Sequence, residues 1–295
     1  MPEQQEVPQK ETAFENNKRK GKPDMNTIDP NGLAGYNAGV EIGRLHRGLG
    51  LIEFARTKEI LLEELPVPSV VIYDIGGAYG EYACRLAGLG YEVHLFDLAE
   101  AHIRMAGEFS VKAGVTLSGA VTADARSIPR PDASADAILL FGPLYHLTEA
   151  SERRKCLAEC MRLLKPGGKL FTANITCFAT ALKFTELYDR RPELDDDARY
   201  RLIEETVRTG LHRSNEIGLV YFHRPDELRR EVAAAGFADV SLRGVIGPAW
   251  IVRNLDEVWD DPVKREAIMR IVRLLVREES LMGFSTHFLS LSVKP

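Results

Sequence analysis

The feature that most constrains this chain is the run Val70-Val71-Ile72-Tyr73-Asp74-Ile75-Gly76-Gly77-Ala78-Tyr79-Gly80. A short apolar run carries an acid near its end, a glycine-rich turn follows, and Glu81 to Leu89 then reads as a helix. That succession is the first unit of an open, twisted α/β sheet, in which ligands sit beyond the carboxyl ends of the strands. Gly76, Gly77 and Gly80 lack a β-carbon, so the turn can be tight and its backbone can touch a ligand. The next strand, Tyr91 to Phe96, delivers Asp97 to the same edge, followed by Leu98. A carboxylate there can accept hydrogen bonds from a ribose diol.

The glycine spacing decides which nucleotide the turn suits. A dinucleotide fingerprint needs G-x-G-x-x-G. Counting from Gly76, the partner positions hold Ala78 and Glu81; counting from Gly77, they hold Tyr79 and Tyr82. The pattern fails in both registers. What remains, Asp-x-Gly-Gly-x-x-Gly, resembles motif I of the class I S-adenosylmethionine (SAM)-dependent methyltransferases. It departs from the commonest form at Ala78, where many members carry glycine, and Tyr79 is bulky for such a turn.

Later segments extend the resemblance over residues 36–295, most densely over 70–175. A helix from Glu100 to Lys112 stops at Gly114, and a strand from Val115 to Thr122 reaches Ala123-Asp124-Ala125. The resemblance implies that Asp124, with Ala125 beside it, meets the adenine amino group. The apolar run Ala135 to Phe141 fits a central strand buried on both faces, and it ends in Gly142-Pro143-Leu144-Tyr145-His146-Leu147. That loop is similar to those of small-molecule members, and it is not the Asn/Asp-Pro-Pro-Tyr/Phe loop of enzymes that methylate base amino groups. Thr148 to Leu164 then reads as a helix, stopped by Lys165-Pro166-Gly167-Gly168 before a strand from Lys169 to Ile175.

The expected fold is therefore α/β, a doubly wound and mostly parallel sheet of the class I methyltransferase type with an antiparallel last strand. Residues 1–30 read as a disordered or ligand-ordered tail. Residues 31–66 read as N-terminal helices over the cofactor pocket, and 67–295 as the core, with insertions at 176–224 (a lid) and 248–283. Within the lid, Asp195-Asp196-Asp197 reads as a helix N-terminus rather than a metal site.

The resemblance implies a cofactor site of Asp74, Gly76, Gly77, Gly80, Asp97, Leu98, Asp124, Ala125, Phe141 and Gly142, with Tyr36 and Arg56 at the methionine end. Asp74 suits the ammonium of the methionine portion. Methyl transfer from a sulfonium needs a nucleophile in line and water excluded, and a base only where the nucleophile must lose a proton. His146, just past the central strand, is the first candidate for base or substrate ligand. Tyr145 is a candidate to stack on substrate or face the sulfonium, and His287, near the last strand, is a third.

Composition bounds the remaining choices. A net charge of -5 in 295 residues argues against a chain that coats nucleic acid or an anionic membrane. No apolar run reaches spanning length and the N-terminus lacks a signal-peptide core, which gives a cytoplasmic reading. Cys84, Cys156, Cys160 and Cys177 are too scattered for a disulfide framework; Cys156 and Cys160 share one helix face and read as core. No metal is expected. The leading function is methyl transfer from SAM to a small metabolite of secondary metabolism, by a monomer or homodimer. Methylation of RNA or protein, and non-catalytic SAM binding, are the alternatives.

Overall fold

The computed structural model describes residues 29–295, so the expected N-terminal tail lies almost wholly outside the described residues. Nine strands are described: β1 (Val71–Ile75), β2 (Glu92–Asp97), β3 (Gly119–Thr122), β4 (Ala135–Phe141), β5 (Leu164–Ile175), β6 (Leu211–Ser214), β7 (Gly218–Tyr221), β8 (Ala238–Gly244) and β9 (His287–Val293). Seven of them form one sheet in the order β3-β2-β1-β4-β5-β9-β8, while β6 and β7 pair separately. From β3 to β5 every pairing is parallel. β9 runs antiparallel between β5 and β8, as the sequence resemblance implies.

Twelve α-helices accompany them: α1 (Pro30–Asn37), α2 (Leu49–Glu64), α3 (Glu81–Ala87), α4 (Glu100–Ala113), α5 (Pro143–His146), α6 (Ala150–Leu163), α7 (Ala179–Leu182), α8 (Glu186–Arg190), α9 (Asp196–Thr209), α10 (Pro225–Ala234), α11 (Leu255–Asp260) and α12 (Pro262–Leu275). Helices cover both faces of the central parallel strands, and the middle of the sheet is correspondingly apolar. Ala135, Ala137, Ile138, Leu139 and Leu140 of β4 are fully buried. One core layer joins Ile72, Val93, Leu95, Leu139 and Phe171 to Ile52, Ile60 and Leu61 of α2. The other joins Tyr73, Ile75, Ile138 and Leu140 to α6, where Cys156 and Cys160 are packed.

Two element boundaries differ from the sequence reading. β3 begins at Gly119 rather than Val115. β5 begins at Leu164, ahead of the expected stop: Leu164 pairs with Ala135, and the register shifts before Lys169 pairs with Ala137. Gly167 supplies a left-handed φ of 77° there, so Lys165 to Gly168 is an irregular entry into the strand.

The two interruptions of the α/β alternation are helical. Residues 176–224 hold α7, α8, α9 and the β6–β7 hairpin, and Asp195 caps α9 by accepting the Ala198 amide at 2.7 Å. The stretch between β8 and β9 holds α11, α12 and two short 3-10 turns. No helix among the described residues is long and apolar enough to cross a membrane.

Candidate active site

The carboxyl ends of β1, β2 and β4 meet at one rim because the strands run parallel and in register. Ile75 lies beside Phe96 on one side and Leu140 on the other. The glycine turn follows β1 directly. Gly76 has φ 79°, and a β-carbon there would fall 2.6 Å from Pro143 Cδ and 2.8 Å from the Phe141 carbonyl oxygen. Only glycine lets the turn rest on the β4 loop. Ala78 also adopts a left-handed φ, 48°, where an ordinary side chain is strained. Its amide donates to Asp97 Oδ2 at 2.9 Å, and that bond helps hold it there.

Asp97 is already well tied. Oδ1 accepts the Ala99 amide at 2.8 Å and contacts His102 Nδ1 at 3.1 Å, while Oδ2 accepts Ala78. An ionised carboxylate offers about four acceptor sites. Three are engaged, which leaves one on Oδ2. Asp74 is different. It is fully buried below Gly77, and neither oxygen has a donor at hydrogen-bond geometry, although the Ala83 amide lies close enough to favour its charge slightly. Burial, reinforced by the Asp97 charge, pushes its carboxyl up to about 7. A cationic group near this acid would offset both causes.

These groups line a cavity of about 1060 Å³, which runs from the rim beneath α1 and α2 to the 176–224 segment. Of the sequence-selected residues, Tyr36, Asp74, Gly76, Gly77, Asp97, Leu98, Asp124, Ala125, Phe141, Gly142, Tyr145, His146 and His287 line it. Two do not. Gly80 begins α3 with φ 88°, and the space where its side chain would lie faces Leu95, so it shapes the turn from behind. Arg56 is buried on another side of α2. It pairs with Glu59, which itself binds Arg273 of α12 at 2.8 Å, and this holds Arg56 away from the cavity. The lining face of α2 is Leu49, Gly50, Glu53 and Thr57, close to helical i, i+4 spacing.

Asp124 lines the cavity while its own neighbour binds it: Arg126 Nε donates to Oδ1 at 2.9 Å and Nη2 to Oδ2 at 2.6 Å. Arg126 also reaches Glu152. The carboxylate is thereby fixed in orientation at the end of β3.

Above the rim, α1 acts as a strap. Leu219 donates its amide to Asp29 Oδ2 at 2.8 Å, and Gly32 and Gly35 press on the carbonyl oxygens of Ile217 and Glu216. The strap carries Tyr36, whose hydroxyl shares a 2.7 Å hydrogen bond with His146 Nε2 and whose ring meets His102 edge-on at 5.5 Å. Burial raises the Tyr36 phenol well above its ordinary range and pushes His146 down to about 4, with Asp97 opposing the latter. His146 is therefore neutral near pH 7.

Sequence reasoning missed a charged group on the same wall. Arg44, just ahead of α2, donates Nη1 and Nη2 to Glu53 at 2.7 and 3.0 Å and Nε to Glu41 at 2.7 Å. His287 Nδ1 lies 3.0 Å from Glu53 Oε2. Burial alone would raise the Glu53 carboxyl, but Arg44 and His287 hold it well below the usual carboxylate range. No motif in the sequence singled out Arg44 or Glu53. Among the described residues no cluster of three or more His, Cys, Asp or Glu side chains could hold a metal ion.

Known proteins share parts of this chain's sequence and fold. Residues 73–172 match the family model described as a methyltransferase domain. That segment is similar to SAM-dependent methyltransferases, and the seven-stranded sheet has the class I methyltransferase fold. Among its relatives is a ubiquinone/menaquinone biosynthesis C-methyltransferase, UbiE, of Bordetella avium, 30% identical over 154 residues, which are 48% of this chain and 58% of that enzyme. The chain thus spans less than two thirds of that relative's length. A SAM-dependent methyltransferase of Thermotoga maritima, described as a possible histamine N-methyltransferase, shares the fold. Its TM-score is 0.52 at 17% identity, over 89% of this chain and 99% of that one. So does a phosphoethanolamine N-methyltransferase of Haemonchus contortus solved with SAM, with a TM-score of 0.51 at 16% identity, over 82% and 52% of the two chains.

Proposed function

We propose that the protein transfers a methyl group from SAM to a small-molecule acceptor. The observation that carries this reading is the continuity of the cavity. One enclosure joins the Asp97 rim to Tyr145, His146 and the 176–224 segment, so it has room for an adenosyl group and an acceptor side by side. Asp97 would take a ribose hydroxyl on the free site of Oδ2, with Leu98, Asp124 and Ala125 along the adenine. The unpartnered Asp74 and the Gly76-Gly77 backbone suit the ammonium end, with Phe141, Gly142 and Tyr36 closing around it. Arg44, and not Arg56, lines the cavity.

When bound, SAM supplies an activated methyl and a sulfur that accepts the electron pair of the broken C–S bond. The protein's own work is then to orient the acceptor, exclude water and take up a proton where the acceptor carries one. Tyr145, with its phenol kept protonated by burial, offers a ring to substrate or sulfonium. The 176–224 segment is the lid, and Thr180, Lys183, His212 and Phe222 are its specificity surface. The acidic chain is read as cytoplasmic, acting on a metabolite of secondary metabolism rather than on nucleic acid or membrane.

Methyl-labelled SAM incubated with the protein and separated pools of small metabolites, tRNA and protein tests the reading. Label in the small-molecule pool is the expected result. Label confined to tRNA or protein would replace it with macromolecular methylation.

A further inference from the structure

Two histidines reach the acceptor side of the cavity, and their surroundings are unequal. His146 has Nε2 occupied by Tyr36 at 2.7 Å, and burial disfavours its protonated form. A nitrogen in that position is poorly placed to take a proton. His287 lines the same cavity, is about one-third exposed within it, and has Nδ1 against a carboxylate.

That carboxylate is itself fixed. Glu53 rises from the cavity face of α2 and is clamped by both terminal nitrogens of Arg44, whose third nitrogen is held by Glu41. A fork-to-fork arginine–carboxylate pair resists rotation. Glu53 Oε2 is therefore presented at a defined point and can receive an Nδ1–H. The backbone on the other side is also pinned. The His287 carbonyl accepts the Val245 amide at 3.0 Å and the Ser285 hydroxyl at 2.5 Å, and Ile175 of β5 lies opposite in the sheet. An imidazole whose Nδ1–H is bound to a carboxylate has its lone pair on Nε2, and the resulting imidazolium is stabilised by the same partner.

We propose that His287 Nε2 is the proton acceptor of the methyl transfer, that Glu53 is its positioning residue, and that the acceptor is a hydroxyl compound. This rests on the methyltransferase reading above. The acceptor oxygen forms the new bond to the methyl carbon, its O–H proton goes to His287 Nε2, and the sulfonium C–S pair stays on sulfur. Atoms and charge balance without an oxidant, reductant or metal. A neutral amine already has a lone pair and needs no proton removed beforehand, so an oriented base is most useful to a phenolic or enolic hydroxyl. The rings of Tyr145 and Trp250 on the cavity wall suit a flat acceptor.

Histidine nitrogen NMR on the full chain tests the proposal without a known acceptor, with the His287 signals assigned by their loss in His287→Gln. At pH 7.5 the expected state is Nδ1 protonated and Nε2 bare, with that preference lost in Glu53→Gln. An Nε2–H tautomer or a doubly protonated ring in the wild type would overturn it. In parallel, catechol and phenethylamine are offered with labelled SAM. Methylation of catechol with kcat at least tenfold lower in Glu53→Gln and His287→Gln, and KM for SAM within about threefold, supports the assignment. Transfer to the amine alone, or unchanged kcat in both variants, would defeat it. Calorimetry with S-adenosylhomocysteine reports separately on the methyltransferase reading, because no binding there would remove that reading whatever the tautomer.

Discussion

The two walls of the cavity are built in different ways. The wall proposed for the cofactor comes from consecutive strand ends of one parallel sheet: β1 supplies Asp74 and the glycine turn, β2 supplies Asp97, and β3 leads to Asp124. The wall proposed for the acceptor is assembled from a strap, one face of α2, the β4 loop, the 176–224 segment and the start of β9. On the first wall, function depends on backbone conformation at fixed spacing. On the second, it depends on side chains that reach each other from distant parts of the chain. A cofactor common to many reactions can be met by a repeated strand–turn–helix unit. An acceptor peculiar to one reaction needs surfaces that vary independently of the sheet.

The largest expected effect tests the electrostatics of the first wall. Asp74 is protonated up to about pH 7 in the folded chain, against an ordinary value of 3.8. Between those values the unfolded chain gives up this proton and the folded chain keeps it, so the group's contribution falls as pH rises. The loss approaches about 1.4 kcal/mol per pH unit and levels off above pH 7. Asp74→Asn is expected to gain stability over the wild type across that window while binding S-adenosylhomocysteine more weakly. Parallel denaturant curves at all pH values would show that the acid is ionised throughout.

Asp97→Ala comes next. Losing a hydrogen bond to a charged acceptor is expected to weaken S-adenosylhomocysteine binding by about 1.5–3 kcal/mol, measured by calorimetry. Equal affinity would remove the ribose assignment.

The second wall is expected to respond differently. In Gly35→Ala the new β-carbon overlaps the Glu216 carbonyl oxygen, so α1 must lift from the β6–β7 turn. Overpacking of this kind costs about 1–3 kcal/mol. Hydrogen exchange should show it over residues 29–48 with the sheet unchanged, and exchange that rises evenly across the chain would contradict a separate strap. Smallest is Ala78→Gly, which relieves a left-handed alanine and should stabilise the chain by about 1 kcal/mol in denaturant titration. Destabilisation would mean that the alanine methyl contributes packing.

The same contrast explains what the sequence revealed. Asp74, Gly76, Gly77 and Asp97 were legible because a strand that closes on an acid and enters a tight turn has few other solutions. Arg56 was misplaced because residue spacing locates α2 but not its rotation, which burial of Ile52, Ile60 and Leu61 sets. That rotation turns Glu53 and Thr57 inward and leaves Arg56 with Glu59. Arg44, Glu53 and His287 could not be grouped from sequence at all. Their meeting depends on β9 lying beside β5 and on α2 crossing above it, and neither leaves a local pattern. Gly80 shows a subtler limit: its place in a tight turn was foreseen, but the turn sets it behind the rim.

The most direct test of the central claim is a crystal structure of the protein with S-adenosylhomocysteine. The expected density places the ribose within hydrogen-bond reach of Asp97 Oδ2, the adenine along Leu98 and Asp124, and the amino-acid end over the Gly76-Gly77 turn. A nucleoside bound elsewhere, or a rim closed by protein with Asp97 out of reach, would contradict the account.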